Sequence, residues 1–231
     1  MEILGNNIVL LSLTFTIFFF AKKMQRKTGL TLMNPILITI MSLIIFLKIT
    51  GIDYETYHKS GELIEFWLKP AIVALGAPLC LLLKSIKKQM TAIILSQLAG
   101  CIVGVTSVVI IAQLLGATKE VAISLASKSV TTPIAIEVTK VVGGIPSLTA
   151  AVVVCVGLFG AVAGFKILNL LHIKTTSAQG LSIGTASHAV GTSSAMERSR
   201  EHGAYASLGL IINGLFTSML TPTILRLLGF I

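Results

Sequence analysis

Charge is the scarcest property of this chain. Asp, Glu, Lys and Arg make up 12% of its 231 residues, whereas soluble domains carry about 25%. Asp53 is the only aspartate, and the 9 acidic residues are half as many as the 18 basic ones. So little charge, with 54% hydrophobic residues and a mean hydropathy of +0.93, excludes a soluble globular enzyme and a disordered chain. The basic residues lie between apolar runs and form no basic face, so the net charge of +9 does not indicate a nucleic-acid partner.

Cysteines and catalytic patterns are scarce as well. Cys80, Cys101 and Cys155 each lie within an apolar run, which is typical of small packing residues, and no Cys/His spacing indicates a metal site. Ser187 and His188 are adjacent, but no aspartate is near enough in sequence to suggest a catalytic triad. No Walker-type phosphate loop is present either. The sequence therefore predicts no enzyme activity, no metal and no cofactor.

Long apolar runs are what the chain has in quantity, and they predict an all-α polytopic membrane protein. The runs are continuous rather than alternating, which favours helices over a barrel. A helix needs about 20 apolar residues to cross a bilayer, within a range of about 17–25. Six runs are the candidates for full transmembrane helices: 5–21, 30–47, 68–83, 90–115, 147–171 and 204–230.

The charges between the first four runs predict the orientation. Four cations follow the first run, the segment 48–67 is net acidic, and three lysines follow the third run. Because cytoplasmic loops carry the Lys/Arg excess, the segment 48–67 is expected to be an external loop. The same alternation places the N-terminus outside and the lysines at 84–88 inside.

An internal repeat of sixty residues occupies the second half of the chain. When residues 123–148 are compared with 183–208, ten of the 26 positions are identical, although composition alone would give about two. Each copy is a polar segment followed by a long apolar run. The sequence thus predicts one integral membrane domain in three parts: an N-terminal four-helix region (1–115), repeat A (116–171) and repeat B (172–231).

Each polar segment is interrupted at its centre by small hydroxyl residues. The centres are 127–133 in repeat A and 187–194 in repeat B, and interrupted segments at matching places in two halves point to a transporter's binding site. If each segment is a broken helix that crosses the membrane, the two repeats are parallel. If each is a re-entrant hairpin, one span separates them and they are inverted. Inverted repeats suit alternating access, so we favour two re-entrant segments.

The predicted chemistry of these centres is anion binding. Thr132 followed by Pro133 fits a helix N-cap and first turn, and residues 192–194 offer similar caps. Two helix N-termini would then meet near the midplane, where they favour an anion.

Lys128 and His188 occupy equivalent positions just before these termini, and an ionisable residue at that depth is functional by default. The alternatives are that Lys128 snorkels to the surface and that His188 is a hydrogen-bonded packing residue. The predicted substrate-binding residues are Ser127, Lys128, Thr131, Thr132, Pro133, Ser187, His188, Gly191, Thr192 and Ser193.

Three residues are candidates for proton coupling: His188, Glu137 and Glu197. The imidazole is the best suited, since an unperturbed histidine titrates near pH 6.5, about the range of cytoplasmic pH. The glutamates have a simpler alternative. Each precedes a cation by three residues, Lys140 or Arg200, so both fit ion pairs on a helix surface.

Three stretches resemble one family. They are KSVTTPIA at 128–135, GTASHAVGT at 184–192 and KPAIVALGAP at 69–78, and with them essentially the whole chain resembles the LrgB/CidB (YohK-like) family. The resemblance implies a multi-pass protein of the bacterial inner membrane, described as antiholin-like or as a modulator of murein hydrolase activity and cell lysis. It also implies a smaller holin-like membrane partner of the LrgA/CidA type. Related proteins are linked to pyruvate uptake and glycolate/glycerate exchange, so the implied substrates are small 2-oxo or 2-hydroxy monocarboxylates.

Two functions are therefore expected, and they differ in class. The first is a secondary transporter for a small carboxylate, working alone or as a transport subunit with the holin-like partner. The alternative is a non-transporting regulator of a holin-like pore, acting through contacts within the lipid bilayer. Gly100 and Gly104 could provide such a contact, or could serve internal helix packing. Homodimers are common among transporters with moving domains, so a homodimer is a further candidate.

Overall fold

The computed structural model describes residues 6–28, 33–74 and 83–231, and these residues form helices and short connections without a strand. They divide into two compact units, residues 1–74 and 75–231. The helices in chain order are α1 (Asn7–Thr28), α2 (Pro35–Thr50), α3 (Tyr54–Ala74), α4 (Leu83–Lys88), α5 (Met90–Leu114), α6 (Lys119–Leu125), α7 (Thr132–Val142), α8 (Pro146–Leu170), α9 (Thr176–Arg198) and α10 (Arg200–Leu227).

The first unit contains α1, α2 and α3, with α1 packed against the other two. Helix α2 begins where Asn34 accepts hydrogen bonds from the backbone N–H groups of Ile36 and Leu37, with a proline in the first turn. This is a side-chain N-cap of the usual kind. The hydroxyl oxygens of Thr14 and Tyr57 lie 3.1 Å apart and join α1 to α3.

The prediction of a long loop over 48–67 is wrong, whereas its external side stays a prediction. Helix α2 ends at Gly51, which has a φ of +68°, and α3 already begins at Tyr54. The physical reason is a second cap, since the backbone N–H of Glu55 donates to the Asp53 carboxylate at 3.2 Å. The acidic residues therefore begin a helix instead of forming a loop. The predicted run 68–83 starts within α3, and its part at 75–82 lies outside the described residues.

Four described helices are long and apolar enough to cross a membrane: α1, α5, α8 and α10. They correspond to four of the six predicted runs. Helix α2 is apolar but has only 16 residues, fewer than the about 20 that a full span needs. The prediction of an all-α multi-pass membrane protein is confirmed, whereas the count of six full spans stays a prediction.

The second unit contains two places where the chain folds back on itself. The first joins α6 to α7, and we call residues 119–142 hairpin A. The Ser127 hydroxyl lies 3.2 Å from the carbonyl oxygen of Ala135 and 3.1 Å from the Thr139 hydroxyl. A straight helix would separate residues eight and twelve positions apart by about 12 and 18 Å along its axis. Only a reversal between 126 and 131, which we call tip A, allows these contacts.

The second reversal lies inside α9, and we call residues 176–198 hairpin B. Ser187 has φ −129° and ψ 16°, and His188 has φ 42° and ψ −140°, so helical geometry is interrupted at these two residues. Beyond them the chain returns, because a methyl group placed on Gly191 would lie 3.2 Å from the carbonyl oxygen of Ile183. Ile183 also shares a buried apolar cluster with Ala195. We call Ser187 and His188 tip B, with a first arm before them and a second arm after them.

Candidate anion-binding site

The two tips rest on the middle of the two long helices that follow the hairpins. His188 Nε2 donates to the carbonyl oxygen of Val153 in α8, at 2.9 Å. In α10, Asn213 Nδ2 donates to the carbonyl oxygen of Ser129 in tip A at 3.4 Å. Val153 and Asn213 are sixty residues apart, which is the offset of the predicted repeat. The tip of hairpin A contacts α10, the helix that follows hairpin B, and the tip of hairpin B contacts α8, the helix that follows hairpin A.

Each of these positions also contacts the hairpin of its own repeat. Val153 packs in a buried cluster with Val130 and Ala135 of hairpin A. Asn213 Nδ2 donates to the carbonyl oxygen of Thr185 in hairpin B, at 3.0 Å. The contacts of α8 and α10 with the two hairpins are thus reciprocal.

Tip B fits against α8 because that helix presents glycines to it. A methyl group on Gly157 would lie 2.7 Å from the His188 ring, and one on Gly160 would overlap the Ser187 side chain. Both tip residues are buried, at 3% and 4% exposure. Small residues let helices in membranes approach closely, and here they receive the tip of the hairpin.

A cavity of about 490 Å³ lies between α5, tip A, the first arm of α9 and α10. At one end it is lined by the exposed Gln89 and by Ser177, which lie at the N-terminal ends of α5 and α9. At the other end it is lined by the buried residues Cys101, Val105 and Ala126. The cavity therefore runs from the surface at one end of the unit toward tip A in its interior.

Lys128 is the cation of this cavity. Its side chain is half-buried, and its ammonium donates to the Ser129 hydroxyl at 3.0 Å. Among the described residues, the cavity lining contains no Asp or Glu, and no described acidic side chain forms an ion pair with Lys128. An ammonium group in such surroundings favours an anionic ligand, because burying an unpaired charge is costly.

A buried amide and hydroxyl network completes the polar part of the wall. Gln97 and Asn213 are 3% and 2% exposed. Thr185 Oγ1 donates to Gln97 Oε1 at 2.6 Å, and Thr217 Oγ1 lies 3.5 Å from both Asn213 Oδ1 and Cys101 Sγ. The sequence patterns above do not include these residues. A partial signal was available, since Gln97 and Asn213 are amides within long apolar runs, where an unpartnered polar group is costly.

Of the predicted substrate-binding residues, the structure brings Lys128 alone into the lining of this cavity among the described part of the chain. The Ser127 hydroxyl is used within hairpin A, and Ser187 and His188 face the glycines of α8. The other predicted residues lie elsewhere in the two hairpins: Thr131, Thr132 and Pro133 at the start of α7, and Gly191, Thr192 and Ser193 in the second arm of α9.

The predicted helix caps need correction. Helix α7 begins at Thr132, with Thr131 in the N-cap position and no capping bond from its side chain, so the start lies one residue earlier than predicted. The prediction of a helix start at 192–194 is wrong, because α9 is interrupted at tip B instead. Thr192 and Ser193 donate to the carbonyl oxygens four residues earlier, at 2.8 and 3.0 Å. Such bonds are typical of a helix interior.

The two predicted proton-coupling glutamates lie outside the cavity lining. Glu137 forms an ion pair with Lys140 at 2.7 Å, and the two side chains are 71% and 55% exposed. This is the helix-surface pair that the spacing also predicts. Glu197 is exposed near the C-terminal end of hairpin B.

These features define the class of the molecule as an all-helical, multi-pass membrane protein. Its second unit contains two chain reversals and a cavity lined by Lys128. Residues 14–227 match the LrgB-like family, and the chain belongs to that family. It is 34% identical over 220 residues to the "Holin-like protein CidB" of Staphylococcus epidermidis, covering 95% of this chain and 96% of that protein. The corresponding "Holin-like protein CidB" of Staphylococcus aureus is 33% identical over the same length and coverage. An uncharacterized protein of Haemophilus influenzae is 36% identical over 218 residues, 94% of each chain. No solved structure matches the chain.

Proposed function

We propose that this chain is a secondary transporter for small monocarboxylates such as pyruvate or glycolate, or the transport subunit that works with a holin-like LrgA/CidA-type partner. The observation that carries the proposal is the cavity around Lys128, whose described lining contains this lysine and no acidic side chain. The Lys128 ammonium matches a single carboxylate. The volume of about 490 Å³ lies within the usual range of small-molecule sites, about 300–1,000 Å³.

Hairpins A and B are re-entrant segments in this proposal. Each begins and ends at the same end of the unit, and one long helix, α8, lies between them. The repeats are then inverted. In this proposal the chain consists of an N-terminal region (1–115), repeat A and repeat B, and the two repeats arose by duplication. The reciprocal contacts at Val153 and Asn213 support this arrangement. Irregular backbone at membrane depth is tolerated where it is buried in protein or lines a cavity, and tip A does both.

The open end of the cavity faces the cytoplasm in this proposal, and the N-terminus lies outside. Gln89 lies at this end and directly follows the exposed Lys87 and Lys88. Ser177 lies at the same end, three residues after the exposed Lys174. The Lys/Arg excess marks the cytoplasmic side. A bacterial inner-membrane location, a proton as coupling ion and a homodimer complete the proposal, and His188 is the first candidate to carry the proton.

The test is uptake of radiolabelled pyruvate and glycolate into proteoliposomes containing the purified chain, with and without the holin-like partner. We expect saturable uptake that Lys128→Met abolishes, because the substitution removes the charge and retains most of the length. Lys140→Met is the matched control, since Lys140 is exposed outside the cavity, and it should transport normally. Normal uptake by Lys128→Met would contradict the proposal. So would uptake that does not saturate, whether the holin-like partner is present or absent.

The second candidate is a regulator of a holin-like pore, and the name "Holin-like protein CidB" of the relatives favours it. This function requires an interface with a partner and tolerates changes at Lys128. Gly100 is a weak choice for that interface, because it packs inside the unit, where a methyl group would lie 3.3 Å from the Thr185 side chain. If the partner conducts and this chain only alters its conductance, uptake will require the partner and will be insensitive to Lys128→Met.

A further inference from the structure

Gln97 differs from the other buried amide of the cavity in its hydrogen bonds. Asn213 donates to two carbonyl oxygens and accepts from Thr217, so both ends of its amide are engaged by the protein. Gln97 is 3% exposed, and Thr185 is its side chain's single hydrogen-bond partner among the described residues. The other end of the Gln97 amide has no hydrogen-bond partner in the part of the chain that the structure describes, and the residue lines the cavity.

The hydroxyl of Thr185 is compatible with two orientations of the Gln97 amide. Its hydroxyl oxygen lies 2.6 Å from Gln97 Oε1 and 2.6 Å from the carbonyl oxygen of Leu181. A hydroxyl has one proton and two lone pairs, so it can donate to only one of these oxygens. When the proton goes to Leu181, the hydroxyl accepts from the Gln97 amide nitrogen, and the amide oxygen faces the cavity. When the proton goes to Gln97, the amide nitrogen faces the cavity.

The wall near this amide also contains apolar and small residues, beside the serines Ser96 and Ser182. Ile93 and Leu181 belong to one buried cluster, and both line the cavity together with Gly100. An apolar wall cannot strongly distinguish ligands by an added oxygen, whereas a buried hydrogen-bonding group can. The polar atoms of this wall must therefore distinguish an unsubstituted acid from an acid that carries an oxo or hydroxyl group.

We propose that Gln97 is the specificity-determining residue of the cavity and selects small carboxylates that carry an oxo or hydroxyl group on the carbon next to the carboxylate. In an acid of two or three carbons bound at Lys128, that neighbouring carbon is the usual place for an oxo or hydroxyl group. The amide nitrogen of Gln97 donates to a 2-oxo group, and its oxygen accepts from a 2-hydroxyl group. This inference rests on the proposed transport function.

The experiment compares inhibition of labelled pyruvate uptake by unlabelled pyruvate, lactate and propionate in proteoliposomes. Propionate has the same three-carbon chain and carboxylate as pyruvate but lacks the 2-oxo group. Gln97→Met retains the length of the side chain and removes both polar atoms, and Gln113→Met is the matched control, because Gln113 is exposed near the C-terminal end of α5. The ratio of inhibition constants, propionate over pyruvate, does not depend on the amount of active protein.

We expect Gln97→Met to reduce this ratio about tenfold, the size typical of one lost hydrogen bond, and Gln113→Met to leave it unchanged. An unchanged ratio in Gln97→Met, with normal wild-type uptake, would overturn the role of Gln97 and leave the transport function intact. Absence of saturable uptake by the wild type would overturn both. If Gln97→Met takes up no pyruvate, the same ratio is measured from the stabilisation of the purified variant against heat by each acid.

Discussion

His188 Nε2 lies 2.9 Å from the carbonyl oxygen of Val153, and this contact fixes tip B against the middle of α8. Because a carbonyl oxygen can only accept, Nε2 carries the proton and Nδ1 is the nitrogen with a free lone pair. The backbone of His188 has φ 42° and ψ −140°, a conformation that glycine adopts easily and other residues rarely. Such a conformation costs about 1–3 kcal/mol and persists only where the surroundings enforce it.

The first prediction concerns this conformation. His188→Ala loses the buried ring and its hydrogen bond and retains the strained backbone, whereas His188→Gly loses the same groups and relieves the strain. We expect both variants to be less stable than the wild type, and the glycine variant to be more stable than the alanine variant by about 1–2 kcal/mol. Thermal unfolding of the purified proteins in detergent measures the difference. Equal stabilities would show that residue 188 adopts an ordinary backbone conformation.

The second prediction concerns the glycines that receive tip B. Gly157→Ala places a methyl group 2.7 Å from the His188 ring, so tip B must move or α8 must shift. Overpacking of this kind costs about 1–3 kcal/mol, and we expect a lower unfolding temperature and reduced uptake. Gly61→Ala is the matched control, since Gly61 also lies in a helix and has no neighbour within 4 Å of the added methyl group. If both variants are as stable as the wild type, tip B does not pack on Gly157.

The sequence predicted the class and the interrupted segments because both depend on local properties. Long uncharged runs specify spans by composition alone, and the repeat is visible as identities at a fixed offset of sixty residues. The sequence comparison also aligns Lys128 with His188, sixty residues apart. The sequence could not show that Lys128 lines a cavity while His188 packs on α8, because these environments depend on contacts with helices far away in the chain.

Two errors have a common cause. The prediction of helix starts at 192–194 assumed that hydroxyl residues act as caps, but those hydroxyls bond to carbonyls within their own helix. The loop at 48–67 was predicted from charge, although charge is also compatible with an exposed helix. In both cases the residue types fit two local structures. A cap at Asp53 starts α3 in one, and the interruption at tip B precedes the second arm of α9 in the other. Gln97 was missed because its apolar run also contains Gln113, and the sequence does not show which of the two amides is buried beside a cavity.

The third prediction separates Glu137 from proton coupling. Its ion pair with Lys140 is largely exposed, and exposed pairs contribute about 0–1 kcal/mol. Glu137→Gln should therefore retain uptake and its pH dependence, with little change in unfolding temperature. The measurement is uptake across a range of imposed proton gradients. The same assay on His188→Gln serves as the comparison, and a pH dependence lost only in Glu137→Gln would make that glutamate the proton carrier.

The last prediction concerns Asn213, which we infer to be a positioning residue for tip A. Its amide nitrogen donates to the carbonyl oxygens of Ser129 and Thr185, so it joins the lysine-bearing tip to hairpin B. Asn213→Leu removes these hydrogen bonds. Asn213→Asp has nearly the same shape, but its ionised form cannot donate and brings a negative charge into the cavity of Lys128.

We expect Asn213→Leu to raise the KM for pyruvate severalfold and to lower stability by about 1–3 kcal/mol, the cost of leaving buried carbonyl groups unpaired. Asn213→Asp should raise the KM much more, at least tenfold, although its carboxylate can pair with the Lys128 ammonium and recover part of the stability. A purely structural role predicts the opposite order, in which uptake falls in step with stability. Measuring the KM and the unfolding temperature of both variants decides between the two, because only a charge beside the bound carboxylate separates affinity from stability.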